Sequence, residues 1–164
     1  EMLFNNLTLL GWKPERVQAG LTGISLADFV PELSRRARGF AIYAALRSLG
    51  RNGVVEVVER CCRLARRLAA KLAQDPQVTI LNDVVINQVL VRFTPRDGSD
   101  ADAFTAAVMR RIQEEGTCWA GGTTWQGQHL MRCSVSNWST TETDIDRSAA
   151  AMLACLHELN GETA

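Results

Sequence analysis

The stretch His129-Leu130-Met131-Arg132-Cys133-Ser134-Val135-Ser136-Asn137-Trp138 alternates residue by residue. Period two places Met131, Cys133 and Val135 on one face of a strand and Leu130, Arg132, Ser134 and Ser136 on the other. The first face is the one that water rejects, so the strand is expected to lie with that face on a core. Arg132, in mid-strand on the opposite face, is then either solvated, held in a structural ion pair, or aimed into a cleft. On the strand pattern alone the first two are the ordinary outcomes. A guanidinium also presents a rigid fork of donors that fits a carboxylate bidentately, which makes a cleft-facing Arg132 a candidate anchor for an acid substrate.

Outward from this strand, residues 117–126 form a second extended segment before a turn at Gly127. Within it, Gly121-Gly122 between Ala120 and Thr123 invites comparison with a phosphate cradle, but such a cradle needs a helix N-terminus directly after it, and strand residues follow. A bulged strand is expected, with Trp119 and Trp125 walling a cleft or packing on helices. Upstream, Val78–Leu81 and Val84–Phe93 are β-branched, alternating and divided by Asn82-Asp83, so they read as two more strands. Ser99 is expected to cap a helix over 100–115 carrying Phe104, Val108 and Ile112, stopped by Gly116. Thr140 or Thr141 caps the last helix, which turns Ile145, Ala149, Met152 and Leu156 inward and ends at Asn160-Gly161.

Two longer helices come first. One runs from Pro31 to about Leu49, closed by Gly50, and its stretch from Phe40 to Leu46 is apolar nearly all round, which predicts cover on several sides. The other follows Asn52-Gly53, with Val54, Val57, Val58, Cys61, Leu64, Ala65, Leu68 and Leu72 on one stripe, and ends at Asp75-Pro76. Arg60, Arg63, Arg66, Arg67 and Lys71 lie off that stripe; the expectation is a solvated face paired with Glu56 and Glu59. No aromatic residue interleaves them, as stacking on nucleic-acid bases would need. The order helix, helix, strand, strand, helix, strand, strand, helix predicts an α+β fold: an antiparallel sheet covered by helices and preceded by long helices. Residues 1–30 read as a poorly patterned lead-in, 31–75 as connecting helices and 76–164 as a small domain.

With 46% hydrophobic and 22% charged residues in 164, the chain falls in the range of ordinary globular domains rather than disordered ones. Eighteen basic residues balance eighteen acidic ones, so net charge calls for neither nucleic acid nor an anionic membrane as partner. Neither a membrane span nor a secretory leader is legible, and a cytoplasmic location is expected. The five cysteines lack zinc spacing and are expected to be buried, reduced thiols; no metal site is expected. His129 and His157 are solitary, one expected in a turn and one near a helix end, and read as structural or solvated. The chain opens on Glu1, and reads as a piece of a longer protein.

Met131 through Trp138, followed by Thr140-Thr141-Glu142-Thr143-Asp144-Ile145-Asp146, resembles the C-terminal signature of the group II pyridoxal-phosphate-dependent amino-acid decarboxylases. That family includes glutamate, cysteine-sulfinate, aromatic-amino-acid and diaminobutyrate decarboxylases. Ser34-Arg35-Arg36-Ala37-Arg38-Gly39-Phe40 through Arg47-Ser48-Leu49-Gly50 similarly resembles the family's arginine-rich helix leading into its small domain. The resemblance implies the small C-terminal domain of a homodimeric fold type I enzyme, whose pyridoxal 5'-phosphate is held by a lysine and serves the loss of the α-carboxylate of an L-amino acid as carbon dioxide. It also implies that Arg132 contacts the substrate carboxylate, as its counterpart does in the glutamate branch.

One departure stands out. The basic residues comprise sixteen arginines and only two lysines, Lys13 after Trp12 and Lys71 in mid-helix among arginines, and neither context matches the family's Schiff-base lysine. The expectation is therefore no catalytic and no cofactor-binding residue in this chain, an inactive fragment that does not hold the cofactor, and a parent enzyme that does. A stand-alone, non-catalytic α+β binding module and the small domain of a fold type I aminotransferase are the alternatives.

Overall fold

The computed structural model describes residues 38–161. The lead-in over 1–30, the helix start at Pro31, Lys13 and the first four residues of the arginine-rich segment, 34–37, lie outside the described residues. The chain forms two compact units, Glu1–Arg47 and Ser48–Ala164. In the first, the described residues are helical, and Phe40, Ile42, Tyr43 and Leu46 are all exposed. The all-round apolar pattern of this stretch predicts cover, and these side chains are exposed.

Helix α1 spans Arg38–Leu72 and is broken at Gly50, whose φ of 61° and ψ of −175° lie outside helical geometry. Glycine is the residue that reaches a positive φ at little steric cost, so Gly50 does end the first helix. The chain re-enters helix at once, however: residues 51–53 are helical and not a linker. Gly53 makes this possible, because a Cβ there would sit 3.0 Å from the Leu49 Cβ.

In the second unit, strands β1 (Val78–Ile80), β2 (Gln88–Phe93), β3 (Gly121–Trp125) and β4 (Gln128–Ser134) form one antiparallel sheet in the order β1-β2-β4-β3. The second strand is shorter than its apolar run predicts. Val84–Asn87 instead form an irregular link, with Asn82 bonding the backbone of Gln88 and Leu90 and Asn87 bonding that of Val135. The β3–β4 hairpin turns on Gln126 (φ 50°) and Gly127 (φ 76°), the doubly positive pair that matches the twist of the flanking strands.

Helices α2 (Ala101–Glu115) and α3 (Glu142–Leu159) join the second half of α1 in a common core with the sheet. The contributing positions keep helical spacing: Leu64, Leu68 and Leu72; Val108 and Ile112; Ile145, Ala149, Met152 and Leu156. They meet Val89, Val91 and Phe93 of β2 and Met131 and Cys133 of β4, with Val135 just beyond it. Val58 departs from its expected stripe and is exposed. The expected α+β architecture, an antiparallel sheet and helices after a long helical lead, is the one found.

The caps show how local chemistry sets the boundaries. Asp100, not Ser99, caps α2 by accepting from the Asp102 N–H at 2.9 Å, while the Ser99 N–H donates to Asp97 in the preceding turn. Thr141 and Asp144 form a reciprocal capping box on α3. Thr105, fully buried, both accepts from and donates to the backbone of Phe93, so the polar group inside the core is satisfied.

The basic face of α1 is only partly paired within its own helix. Arg60 keeps Glu56 at 2.7 Å, whereas Arg67 forks onto Asp146 of α3 at 2.7 and 2.8 Å, with Glu142 at 3.0 Å and Lys71 3.2 Å from the same aspartate. Across the other end, His157 Nε2 lies 2.6 Å from Asp75, and Asp75 accepts from Gln77 N–H. The buried Gln77 side chain in turn joins Thr94, Arg96 and Asn160.

Two outcomes follow. Leu156→Ala, at a fully buried core position, should cost about 2–5 kcal/mol in urea unfolding; a loss under 1 kcal/mol would place Leu156 outside the core. The Arg67 fork, with Lys71, holds the Asp146 carboxyl down at about 2 against an ordinary 3.8. A depressed folded value means stabilisation present above the unfolded value and lost as pH falls through the folded one. Asp146→Asn should therefore lower Tm at pH 7 and flatten the fall in Tm between pH 4 and 2; an unchanged pH slope would show that the fork is not formed.

Candidate functional site

Strand β4 lies between β2 and β3, and the alternation seen in its sequence is the one it adopts. Met131, Cys133 and Val135 are buried, while Arg132, Ser134 and Ser136 are exposed. Leu130 is the exception: expected with the outward group, it is fully buried. In an interior strand an outward side chain is flanked by both neighbouring strands, and Thr123 of β3 stands directly opposite Leu130.

Arg132 pairs in register with Leu90 of β2 on one side and Gly121 of β3 on the other. Neither neighbour can accept a hydrogen bond through its side chain, and a Cβ built on Gly121 would meet nothing within 4 Å. The guanidinium thus stands on an open part of the sheet's outer face. Most arginines here that have a carboxylate within reach use it: Arg92 is 2.9 Å from Asp102, Arg111 2.8 Å from Glu158, and Arg60 and Arg67 are paired as above. Among the described residues Arg132 has no carboxylate partner. The structural ion pair, one of the ordinary readings of its sequence position, is not formed there.

Beside this strand, at the end of the sheet, a shallow pocket of about 170 Å3 is lined by Trp119, Ser134, Ser136, Asn137, Thr140 and Cys118, among others. Trp119 thus walls a cleft and is itself mostly exposed. The sequence offers no signal for this grouping, because it brings the segment before β3 next to the segment after β4. Burial pushes the Cys133 thiol up to about 12 and also raises that of Cys118, so neither is disposed to act as a thiolate nucleophile. All five cysteines are free; Cys61, Cys133 and Cys155 are buried as expected, whereas Cys62 and Cys118 are only half-buried.

The histidines do not join Arg132. His129 lies in β4 and not in a turn; a Cβ on Gly122 would come within 3.1 Å of its ring and 3.2 Å of the Met109 side chain of α2. His157 serves the Asp75 contact at the far end of α3. Gly121 and Gly122 are both paired strand residues and form no cradle. Among the described residues no helix is long and apolar enough to cross a membrane, and no group of His, Cys, Asp or Glu is placed to hold a metal ion.

Residues 20–94 match the family model of the pyridoxal-dependent decarboxylase conserved domain. No curated protein sequence matches the chain. Among solved structures, Oryza sativa TDC with PLP and tryptamine is similar at 17% identity and a TM-score of 0.70, over 83% of this chain and 30% of that one. The glutamate decarboxylase domain of a Vibrio parahaemolyticus diaminobutyrate-pyruvate transaminase and L-2,4-diaminobutyrate decarboxylase is similar at 16% identity and a TM-score of 0.61, over 71% of this chain and 25% of that one. Rhodiola rosea 4-hydroxyphenylacetaldehyde synthase is similar at 19% identity and a TM-score of 0.68, over 78% of this chain and 28% of that one. The chain spans less than a third of the length of each. At these identities the solved structures establish the fold alone, and residues 20–94 are the segment that is similar to the pyridoxal-dependent decarboxylase conserved domain.

Proposed function

We propose that this chain, whose matched segment and fold are those of the pyridoxal-dependent decarboxylases, is the C-terminal part of an enzyme that removes the α-carboxylate of an L-amino acid. In that reading residues 31–75 connect to the rest of the enzyme and residues 76–164 form its small domain, working in a cytoplasmic homodimer. The family match favours this over a stand-alone binding module or an aminotransferase domain.

The observation that carries the proposal to a residue is the unneutralised Arg132 on the outer face of β4. A guanidinium with no carboxylate partner among the described residues keeps its donor fork for a ligand, and the side-chain-free position at Gly121 leaves the approach open. Arg132 would hold the carboxylate of an acid substrate and orient it, with no proton moved at the arginine itself.

The residues described do not fit pyridoxal phosphate. Lys71, the lysine among them, has its Nζ 3.2 Å from Asp146 in the contact that joins α1 to α3, and a Schiff base there would have to dismantle that contact. The chain alone is accordingly inactive in this reading, and the cofactor belongs to the parent enzyme, as PLP does to the Oryza sativa TDC structure.

Incubating the chain with pyridoxal phosphate and removing free cofactor should leave no absorbance band of a bound Schiff base. A retained band that disappears in Lys13→Ala or Lys71→Ala would overturn that part of the reading. In the parent enzyme, Arg132→Ala should raise KM for an acid substrate at least about tenfold with an unchanged circular dichroism spectrum. An unchanged KM with lowered stability would remove the anchor role.

A further inference from the structure

On the helical layer, Arg60, Arg63 and Arg67 of α1 line a pocket of about 220 Å3 together with Leu64 and Glu142. Their spacing of three and four residues puts them on one helix face. The donors they bring exceed the acceptors they find. Arg60 Nη1 reaches Glu56 and its Nη2 the carbonyl of Trp138, but its Nε is buried with no hydrogen-bond partner among the described residues. Arg63 is exposed and has no carboxylate partner among them. Arg67 spends its Nε and Nη2 on Asp146 and meets Glu142 at 3.0 Å through Nη1.

Guanidinium N–H groups left without an acceptor on residues that line a cavity are a reason to look for a bound acceptor. Three guanidinia against the single lining carboxylate of Glu142 leave the pocket walls net positive. The Glu142 side chain is 71% exposed and can withdraw to solvent. Glu142 is also the first residue of α3, so that helix's positive end lies beside the pocket. The Trp138 carbonyl held by Arg60 fixes the segment leading into α3 against α1 and keeps the wall in place.

We infer that the pocket lined by Arg60, Arg63 and Arg67 binds a small oxyanion, a phosphate or a carboxylate group, whose oxygens are held by Arg63 on the cationic wall that Arg60 and Arg67 complete. This site does not depend on the role of Arg132, which is on β4.

The test is thermal unfolding of the whole chain titrated with inorganic phosphate, with acetate, and with chloride at matched ionic strength, each protein variant being compared with its own chloride series. Phosphate or acetate should raise Tm saturably above chloride, and Arg63→Gln should weaken that response about tenfold. A larger response to phosphate assigns the site to a phosphate group, and an equal response to acetate assigns it to a carboxylate. Arg132→Gln should retain the response. Equal shifts for all three salts, a full response in Arg63→Gln, or a response lost in Arg132→Gln would each overturn the site.

Discussion

The placement of β4 between β2 and β3, with Met131 and Cys133 facing the helices, is the constraint on which the rest of the second unit depends. Side chains alternate strictly along a strand, so a shift of one residue in register would drive Arg132 into the core and expose Met131 and Cys133. Burying an unpaired guanidinium there would cost several kcal/mol, and losing the two apolar residues would add to it. The same alternation that makes the core therefore sets Arg132 on the outer face, beside Leu90 and Gly121. Core formation and presentation of the arginine are two consequences of one register.

Much of this was legible in the sequence because it depends on short-range periodicity. The inward positions of α2 and α3, the break at Gly50, the Gly127 turn and the Thr141 cap each follow from residues within a few positions of one another. What was not legible depends on pairs far apart in the chain. Arg67 has no acidic residue three or four positions away on its own helix; it forks onto Asp146, because the packing of α3 against α1 brings a bidentate acceptor within reach. His157 finds Asp75 in the same way, 82 positions away. Leu130 is fully buried, which the alternation of its own strand does not reveal. The cap falls on Asp100, one residue past Ser99, because the helix begins one position later than the sequence pattern suggests and the Asp100 carboxylate accepts from Asp102 N–H.

The candidate site divides along the same line. That Arg132 points away from the core could be read from β4 alone, but its lack of a carboxylate partner could not, since that depends on which acids the other elements bring near. Asp102 illustrates the alternative outcome: it sits in the first turn of α2, receives the His129 backbone N–H at 3.1 Å and lies 2.9 Å from Arg92. One arginine of the sheet is thereby neutralised, and its neighbour in the next strand has no carboxylate partner among the described residues. The arginine-for-lysine bias of the chain takes on structural meaning in the same contacts, where planar forks join helices that a point charge would hold less specifically.

The most direct measurement is hydrogen exchange at the Arg132 Nε–H, resolved by nitrogen-15 NMR, with Arg67 as an internal reference held by Asp146. A free guanidinium on the outer face of β4 predicts exchange at Arg132 as fast as in an unstructured peptide while Arg67 is slowed. Protection at Arg132 equal to that of Arg67 would mean that a carboxylate of the chain already occupies it, and would contradict its role as an open anchor.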